Sequence, residues 1–380
     1  MKMSFYNEIK QYKWSDIGRD LKSRSRSDVE RALGSRPVNL DGLISLLSPA
    51  AEPLLEEMAQ EAHRLTIRRF GNVISMFAPL YISNVCMNRC AYCGFNAGNP
   101  VARLTLTVEQ IEAEGRAIRA LGFRHLLLVS GEAPKIVTMD YLKSALDVLR
   151  PLFPSLSVEI FPLDTAAYAE LIDHGLDGLV VFQETYDEEL YGKVHLGGKK
   201  RDYRWRLETP DRGGSAGFRR LGLGALLGLN DWRVEAFFLA LHAQYLLRTY
   251  WKSQIGISFP RLRPAAGAFQ PAHPVSDIDF VQLLTALRLF LPDASLVLST
   301  REPASLRDHL VPLGITTMSA GSHTEPGGYS RESEAEAQFE IADRRSPEEV
   351  ANMLREKGYE PVWKDWDSIF LTPGRETAAA

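Results

Sequence analysis

Cysteine is nearly absent: three residues in 380, at positions 86, 90 and 93. An odd and small number in a chain of this length excludes a disulfide framework and implies reduced thiols. Long apolar runs are missing as well. A membrane helix needs about 18 apolar residues or more, and the richest stretch, Leu221 to Leu229, is interrupted by Gly222, Gly224 and Gly228. There is no basic surplus, because 44 Lys and Arg face 48 Asp and Glu for a net charge of −4; nothing points to nucleic acid. Met1 to Lys13 mixes charges with aromatics and lacks the apolar core of a signal peptide. Together these absences predict a cytoplasmic enzyme with no membrane and no nucleic-acid partner.

What is present is concentrated. All three cysteines fall in Cys86-Met87-Asn88-Arg89-Cys90-Ala91-Tyr92-Cys93. Three thiolates do not close a tetrahedral zinc site, which wants four ligands. They do suffice for three irons of a [4Fe–4S] cluster, leaving the fourth iron open to a ligand. A zinc site completed by a distant histidine is the competing reading, and inert buried thiols are a third.

Around this loop the chain follows a strand–helix rhythm. Residues 1–70 read as helical, with Ser27-Asp28-Val29-Glu30 as a capping box and Arg24 and Arg26 in a solvated loop. This part is expected in front of the main body, as a lid or clamp. Apolar strands are expected at 72–83, 125–129, 156–160, 178–182, 220–225, 255–259, 296–299 and 315–319, with helices between them. Such alternation predicts a parallel sheet of βαβ units, and its strand number fits a (β/α)8 barrel of TIM type. The expected domains are a helical 1–70, a barrel at 71–330, and a C-terminal extension at 331–380 packing on the barrel. In the last, Trp363, Trp366 and Phe370 serve as an apolar anchor. Barrel chemistry sits at the C-terminal ends of the strands, and the cysteine loop follows the first.

The C-x3-C-x2-C spacing, with an aromatic before the last cysteine, resembles the radical S-adenosylmethionine (radical SAM) superfamily. Further segments narrow this. They are Leu128-Val129-Ser130-Gly131-Glu132, Phe182-Gln183-Glu184-Thr185-Tyr186, Trp205 to Arg212, Gly222 to Leu226, Ser258 to Pro264, Leu298 to Glu302 and Pro361 to Asp367. Over nearly the whole chain they resemble 2-iminoacetate synthase, the tyrosine lyase of bacterial thiamine biosynthesis. The resemblance implies a radical SAM barrel carrying a [4Fe–4S] cluster and S-adenosyl-L-methionine (SAM). It implies L-tyrosine as substrate, cleaved at Cα–Cβ to p-cresol and 2-iminoacetate (dehydroglycine). It further implies thiazole synthase as the receiving partner and a reduced flavodoxin- or ferredoxin-type electron donor. A related tyrosine lyase, of hydrogenase maturation, carries a second cluster on C-terminal cysteines, and no cysteine follows Cys93 here. A tryptophan lyase is a weaker rival, and a non-catalytic metal-stabilised scaffold for thiazole synthase is a rival of a different class.

The residue assignments follow. Cys86, Cys90 and Cys93 are expected to ligate the cluster, with Tyr92 packed beside it. Ser130, Gly131 and Glu132 are expected to receive the SAM ammonium, with Gly131 admitting the ligand close to the backbone. Glu159 at the third strand end would hold a ribose or an arginine. Gln183, Glu184 and Tyr186 would divide SAM and substrate contacts. Arg206 would fork onto the SAM carboxylate. Arg301 would clamp the tyrosine carboxylate, with Arg261 and Arg263 as rivals, and Ser299 beside it is expected to bind the cofactor. The glycines from Gly222 would cradle nucleotide or merely pack the wall. His195 and His323 are expected on solvated loops.

Overall fold

A computed structural model describes residues 4–267 and 269–364. Eight parallel strands close into a barrel: β1 (Val73–Ser83), β2 (His125–Ser130), β3 (Ser155–Glu159), β4 (Gly178–Glu184), β5 (Arg220–Ala225), β6 (Gln254–Ser258), β7 (Ser295–Leu298) and β8 (Thr317–Ser319). Each strand pairs with the next, and β8 returns to β1 through Ser75↔Thr317 and Phe77↔Ser319. A short β9 (Glu360–Val362) also pairs with the start of β1. Ser75 meets Thr317 and Val362 together, so β9 takes the edge that β2 uses from Ala78 onward.

The helical region at the front of the chain does not lie before the barrel mouth. Helices Trp14–Ser23, Leu40–Leu47 and Leu55–Phe70 pack on the outside, against helices Trp232–Thr249 and Asp277–Phe290. The reason lies in those two partners, which are buried on nearly every face. A helix apolar all round needs cover on both sides. One side faces the sheet and the N-terminal helices cover the other. Arg233 Nη1 reaches the Leu47 carbonyl at 2.9 Å, and Gln282 Nε2 reaches those of Leu46 and Ser48 at 2.9 and 2.8 Å. The first capping box also falls earlier than expected. Ser25 caps with Asp28 as its reciprocal partner, so Arg26 starts a helix and pairs with Glu30 at 2.7 Å rather than sitting in a loop. The boxes at Thr107 and Ser346 occur as their sequences imply.

After β8 the chain runs back over the barrel mouth as a strap, residues 323–345. Gly94 N donates to the Gln338 carbonyl at 3.1 Å, and Ala342 N and Asp343 N donate to Thr300 O at 3.0 and 3.1 Å. Its far end is fixed by a buried ion pair, Arg307 with Asp343, both at most 1% exposed. Arg345 bridges Asp343 to Asp308, each at 2.8 Å. Trp363 packs edge-on against Phe123; Trp366 and Phe370 lie outside the described residues. Removing one member of a buried pair strands the other charge, at a cost of about 3–5 kcal/mol. Asp343→Ala should therefore lower the unfolding free energy by that much, read as a lower urea midpoint at unchanged slope, and Asp343→Asn by less.

Candidate active site

The inward residues of the strands line a cavity of about 340 Å3, within the range of small-molecule sites of roughly 300–1,000 Å3. Tyr81, Leu127, Val129, Phe182 and Phe339 give it apolar walls, and Glu159, Ser299, Arg301 and Gln338 supply polar groups. The cysteine loop leaves the top of β1 at its mouth. Cys86 and Cys93 pack against Phe77, Tyr81, Phe95, Leu127 and Val129; Cys90 and Tyr92 pack against Val194, Leu226 and Leu229.

The loop is short of regular structure, so side chains hold its backbone. Asn96 Nδ2 donates to Cys90 O at 3.0 Å, and Asn99 Nδ2 to Cys93 O at 3.3 Å. Arg103 gathers the carbonyls of Asn84, Phe95, Asn96 and Asn99. Asn88 donates to Glu132 Oε2 at 2.6 Å and accepts from Lys200 N at 3.0 Å. Burial pushes the Cys90 thiol up to about 12 and raises Cys93 too. Such thiols keep their protons at neutral pH until a metal displaces them.

No His, Cys, Asp or Glu triplet among the described residues converges at the distance a single ion needs. A zinc site also lacks a fourth ligand among the described residues. His195, the histidine nearest the loop, spends both nitrogens, Nδ1 with Tyr191 O and Nε2 with the Tyr92 hydroxyl, each at 2.8 Å. Ligands to three separate irons need not meet at one point. Buried polar atoms without a partner, Ser130 Oγ and both amide atoms of Gln183, lie on the strands that end at this mouth. The donor set and its apolar shell therefore fit an iron–sulfur cluster with a polar ligand alongside.

Comparison with known proteins agrees with this geometry. Residues 80–241 match the radical SAM superfamily model, and residues 258–360 match the biotin and thiamin synthesis associated domain. The 2-iminoacetate synthases of Salmonella typhimurium and Escherichia coli are each 48% identical over 366 residues, covering 96% of this chain and 97% of theirs. The chain belongs to the 2-iminoacetate synthase family. Among solved structures, HydG, a maturase of the [FeFe]-hydrogenase, superposes with a TM-score of 0.86 at 34% identity, covering 92% of this chain and 80% of its own. Methylornithine synthase, at 19% identity and a TM-score of 0.72, shares the fold.

Within this 2-iminoacetate synthase fold, Arg301 and Glu159 both line the lumen. Arg301 has no carboxylate partner among the described residues; its guanidinium carbon lies 3.3 Å from the centre of the Phe339 ring. Glu302 and Asp308, which could have claimed it, are bound elsewhere. Glu302 takes Arg261 and Arg263, so neither rival clamp is available, and Asp308 takes Arg345. Burial pulls the Arg301 pKa down, and Tyr81, Glu184 and Glu159 draw it back. Burial first, then the charge of Glu184, pushes the Glu159 carboxyl up to about 7, with Arg301 opposing.

The sign of that shift has a consequence for stability. A carboxyl raised in the folded state binds its proton more tightly there than when unfolded, so stability falls as pH climbs from about 4.5 through 7. Glu159→Gln removes the cost. The ligand-free variant should melt higher than the parent at pH 8, with the gain almost gone at pH 5.

Other expected residues fall into different places. Glu184 follows a bulge between Phe182 and Glu184, and its φ of 72° is the only positive value of a non-glycine among the described residues. Such strain and bulging concentrate at functional sites. Its carboxylate holds Lys200 at 2.6 Å, both side chains at most 13% exposed. Arg206 donates from Nε to Phe182 O at 2.6 Å and makes no ion pair among the described residues, so a surface pair does not explain it. Tyr186 does not reach the lumen. Gln183 is the residue the bulge skips. Tyr186 turns outward, its hydroxyl 3.1 Å from His242 Nδ1 and its ring edge-on to Phe5.

Gly131 serves the protein rather than a ligand. A Cβ there would lie 2.4 Å from Val85 O and 3.0 Å from Cys86 Cβ, so the cysteine loop itself needs the space. Likewise Gly222 and Gly224 admit the side chains of Val180 and Phe182, as the packed-wall alternative expects, and Gly222 also lines the lumen. His195 is fully buried and braces Tyr92, contrary to a solvated loop. Sequence reading missed Lys200, Asn88, Gln338 and Phe339. Lys200 sits between the fourth and fifth strands in a stretch without long periodicity, and Gln338 and Phe339 sit in a polar segment without periodicity.

Proposed function

We propose that this chain is a radical SAM tyrosine lyase, a 2-iminoacetate synthase, which cleaves L-tyrosine at Cα–Cβ to p-cresol and 2-iminoacetate for thiamine thiazole assembly. The observation that carries it is an unpaired, ring-stacked arginine facing a carboxyl group in a lumen capped by three thiols. Cys86, Cys90 and Cys93 would hold a [4Fe–4S] cluster. When bound, the cluster and SAM would supply radical chemistry, through one-electron reduction of the sulfonium to a 5′-deoxyadenosyl radical and methionine.

The chain's own part is binding, orientation and exclusion of water. Arg206 and the Ser130–Glu132 segment stand beside the cysteine loop, where an amino-acid end of SAM would need a cation and acceptors. Arg301 offers a fork to the tyrosine carboxylate, and stacking on Phe339 fixes the plane of that fork. Fixing the head group decides which bond lies within reach of a radical. The apolar walls and the strap keep water from a reactive intermediate. A thiazole synthase would take up the unstable imine.

The test is anaerobic reconstitution with iron and sulfide, then SAM and dithionite with tyrosine or tryptophan in parallel. p-Cresol and 5′-deoxyadenosine should appear with tyrosine, and no cleavage product should form from tryptophan. A cluster-loaded sample that yields neither product from tyrosine would refute the reading.

A further inference from the structure

The electron that starts each turnover must come from outside the chain, one equivalent at a time, to thiols at the barrel mouth. The surface directly above them has an unusual make-up. Met87, between two of the cysteines, is 44% exposed, Leu196 is 56% exposed and Ile136 is 46% exposed. Backbone hydrogen bonds set their segments side by side. Met87 N donates to Glu132 O at 2.8 Å, Arg89 N to Gly197 O at 2.9 Å, and Leu196 N to Arg89 O at 2.9 Å. Cys90 bridges His195 in the same arrangement.

Around these apolar groups stand Arg89, Lys135, Lys199 and Arg201, all exposed and none in an ion pair among the described residues. The acids of the adjoining segment are engaged: Glu188 by Lys10 and Glu189 by Lys193, while Asp202 caps the following helix. The face is thus cationic on a chain whose net charge is −4. An apolar centre within a polar rim is the anatomy of a protein interface, and like-signed rim charges steer an opposite partner.

We infer that this face, from Met87 and Arg89 across Leu196 to Lys199 and Arg201, docks a small acidic one-electron carrier protein over the cysteine loop. This rests on the radical SAM reading above. Cys86 is only partly buried behind Met87, so the docked carrier sits against the edge of the thiol set.

The experiment compares Lys199→Glu/Arg201→Glu with Lys252→Glu/Lys357→Glu. The second pair makes the same charge change just before β6 and β9, at the opposite end of the barrel. Each variant is titrated with flavodoxin by calorimetry across a salt series, and p-cresol is measured with either reduced flavodoxin or dithionite. The first pair should weaken flavodoxin binding about tenfold or more and flatten its salt dependence, with dithionite-driven p-cresol unchanged. The control pair should bind as the parent does. Unchanged affinity in the first pair overturns the proposal, as does an equal loss in both pairs. A first pair that binds flavodoxin normally but loses thiazole synthase overturns it too. If dithionite yields no p-cresol from the parent, the functional reading fails by itself, and the affinities still decide the docking face.

Discussion

Replacing Cys90 with alanine abolishes both p-cresol and 5′-deoxyadenosine, and the reconstituted protein holds little iron. The same is expected for Cys86→Ala and Cys93→Ala. Each thiol would hold its own iron, and no spare ligand stands near. Among the described residues there is no fourth cysteine, and both nitrogens of His195 are committed to Tyr191 and Tyr92. The fold itself should survive, because trimming one small buried side chain costs about 1 kcal/mol. Circular dichroism and the melting temperature of the ligand-free protein check this. A Cys90→Ala sample that binds a full complement of iron and sulfide and turns over tyrosine would remove the ligand assignment.

The second large effect is expected at Arg301. Removing one partner of a buried charged hydrogen bond costs about 2–5 kcal/mol, which is roughly a 30-fold to 4,000-fold rise in KM at about 1.4 kcal/mol per decade. Arg301→Ala should raise the KM for tyrosine by at least the lower figure and leave that for SAM within a few-fold. Arg301→Lys should recover little. Lysine keeps the charge but loses both the fork and the flat face that rests on Phe339. Steady-state kinetics with dithionite as reductant separates the two substrates. An unchanged tyrosine KM with a raised SAM KM would reassign the arginine to the cofactor.

Much of this architecture is legible because it is written in periodicity. The eight barrel strands and the intervening helices emerge from short apolar runs alternating with helical patterns, with boundaries shifted by a residue or two. The cysteine motif needs no periodicity at all. What sequence reading loses falls into three physical kinds. Amphipathic patterning says that a helix packs, not against what, so the first 70 residues, expected at the mouth, lie on the outer wall. Strand alternation assumes an unbroken pleat, and the bulge after Phe182 interrupts it, leaving Gln183 without a partner residue on β5 while Glu184 holds Lys200. Short or irregular elements carry no pattern. β9 spans three residues, and the strap that brings Gln338 and Phe339 to the site reads only as polar chain.

Glycine gives a misleading signal for a related reason. A missing Cβ marks a close approach but not who approaches. At Gly131 the neighbour is the cysteine loop, and at Gly224 it is the Phe182 ring.

The strap also bears on how the protein is manufactured. Gln338, whose amide lies 3.9 Å from Cys93 Sγ, is 245 residues downstream of it. A ribosome therefore exposes the thiols long before it makes the segment that roofs them. Metal delivery to the nascent or half-folded chain meets an open loop, whereas in the finished molecule Gln338 already stands beside Cys93.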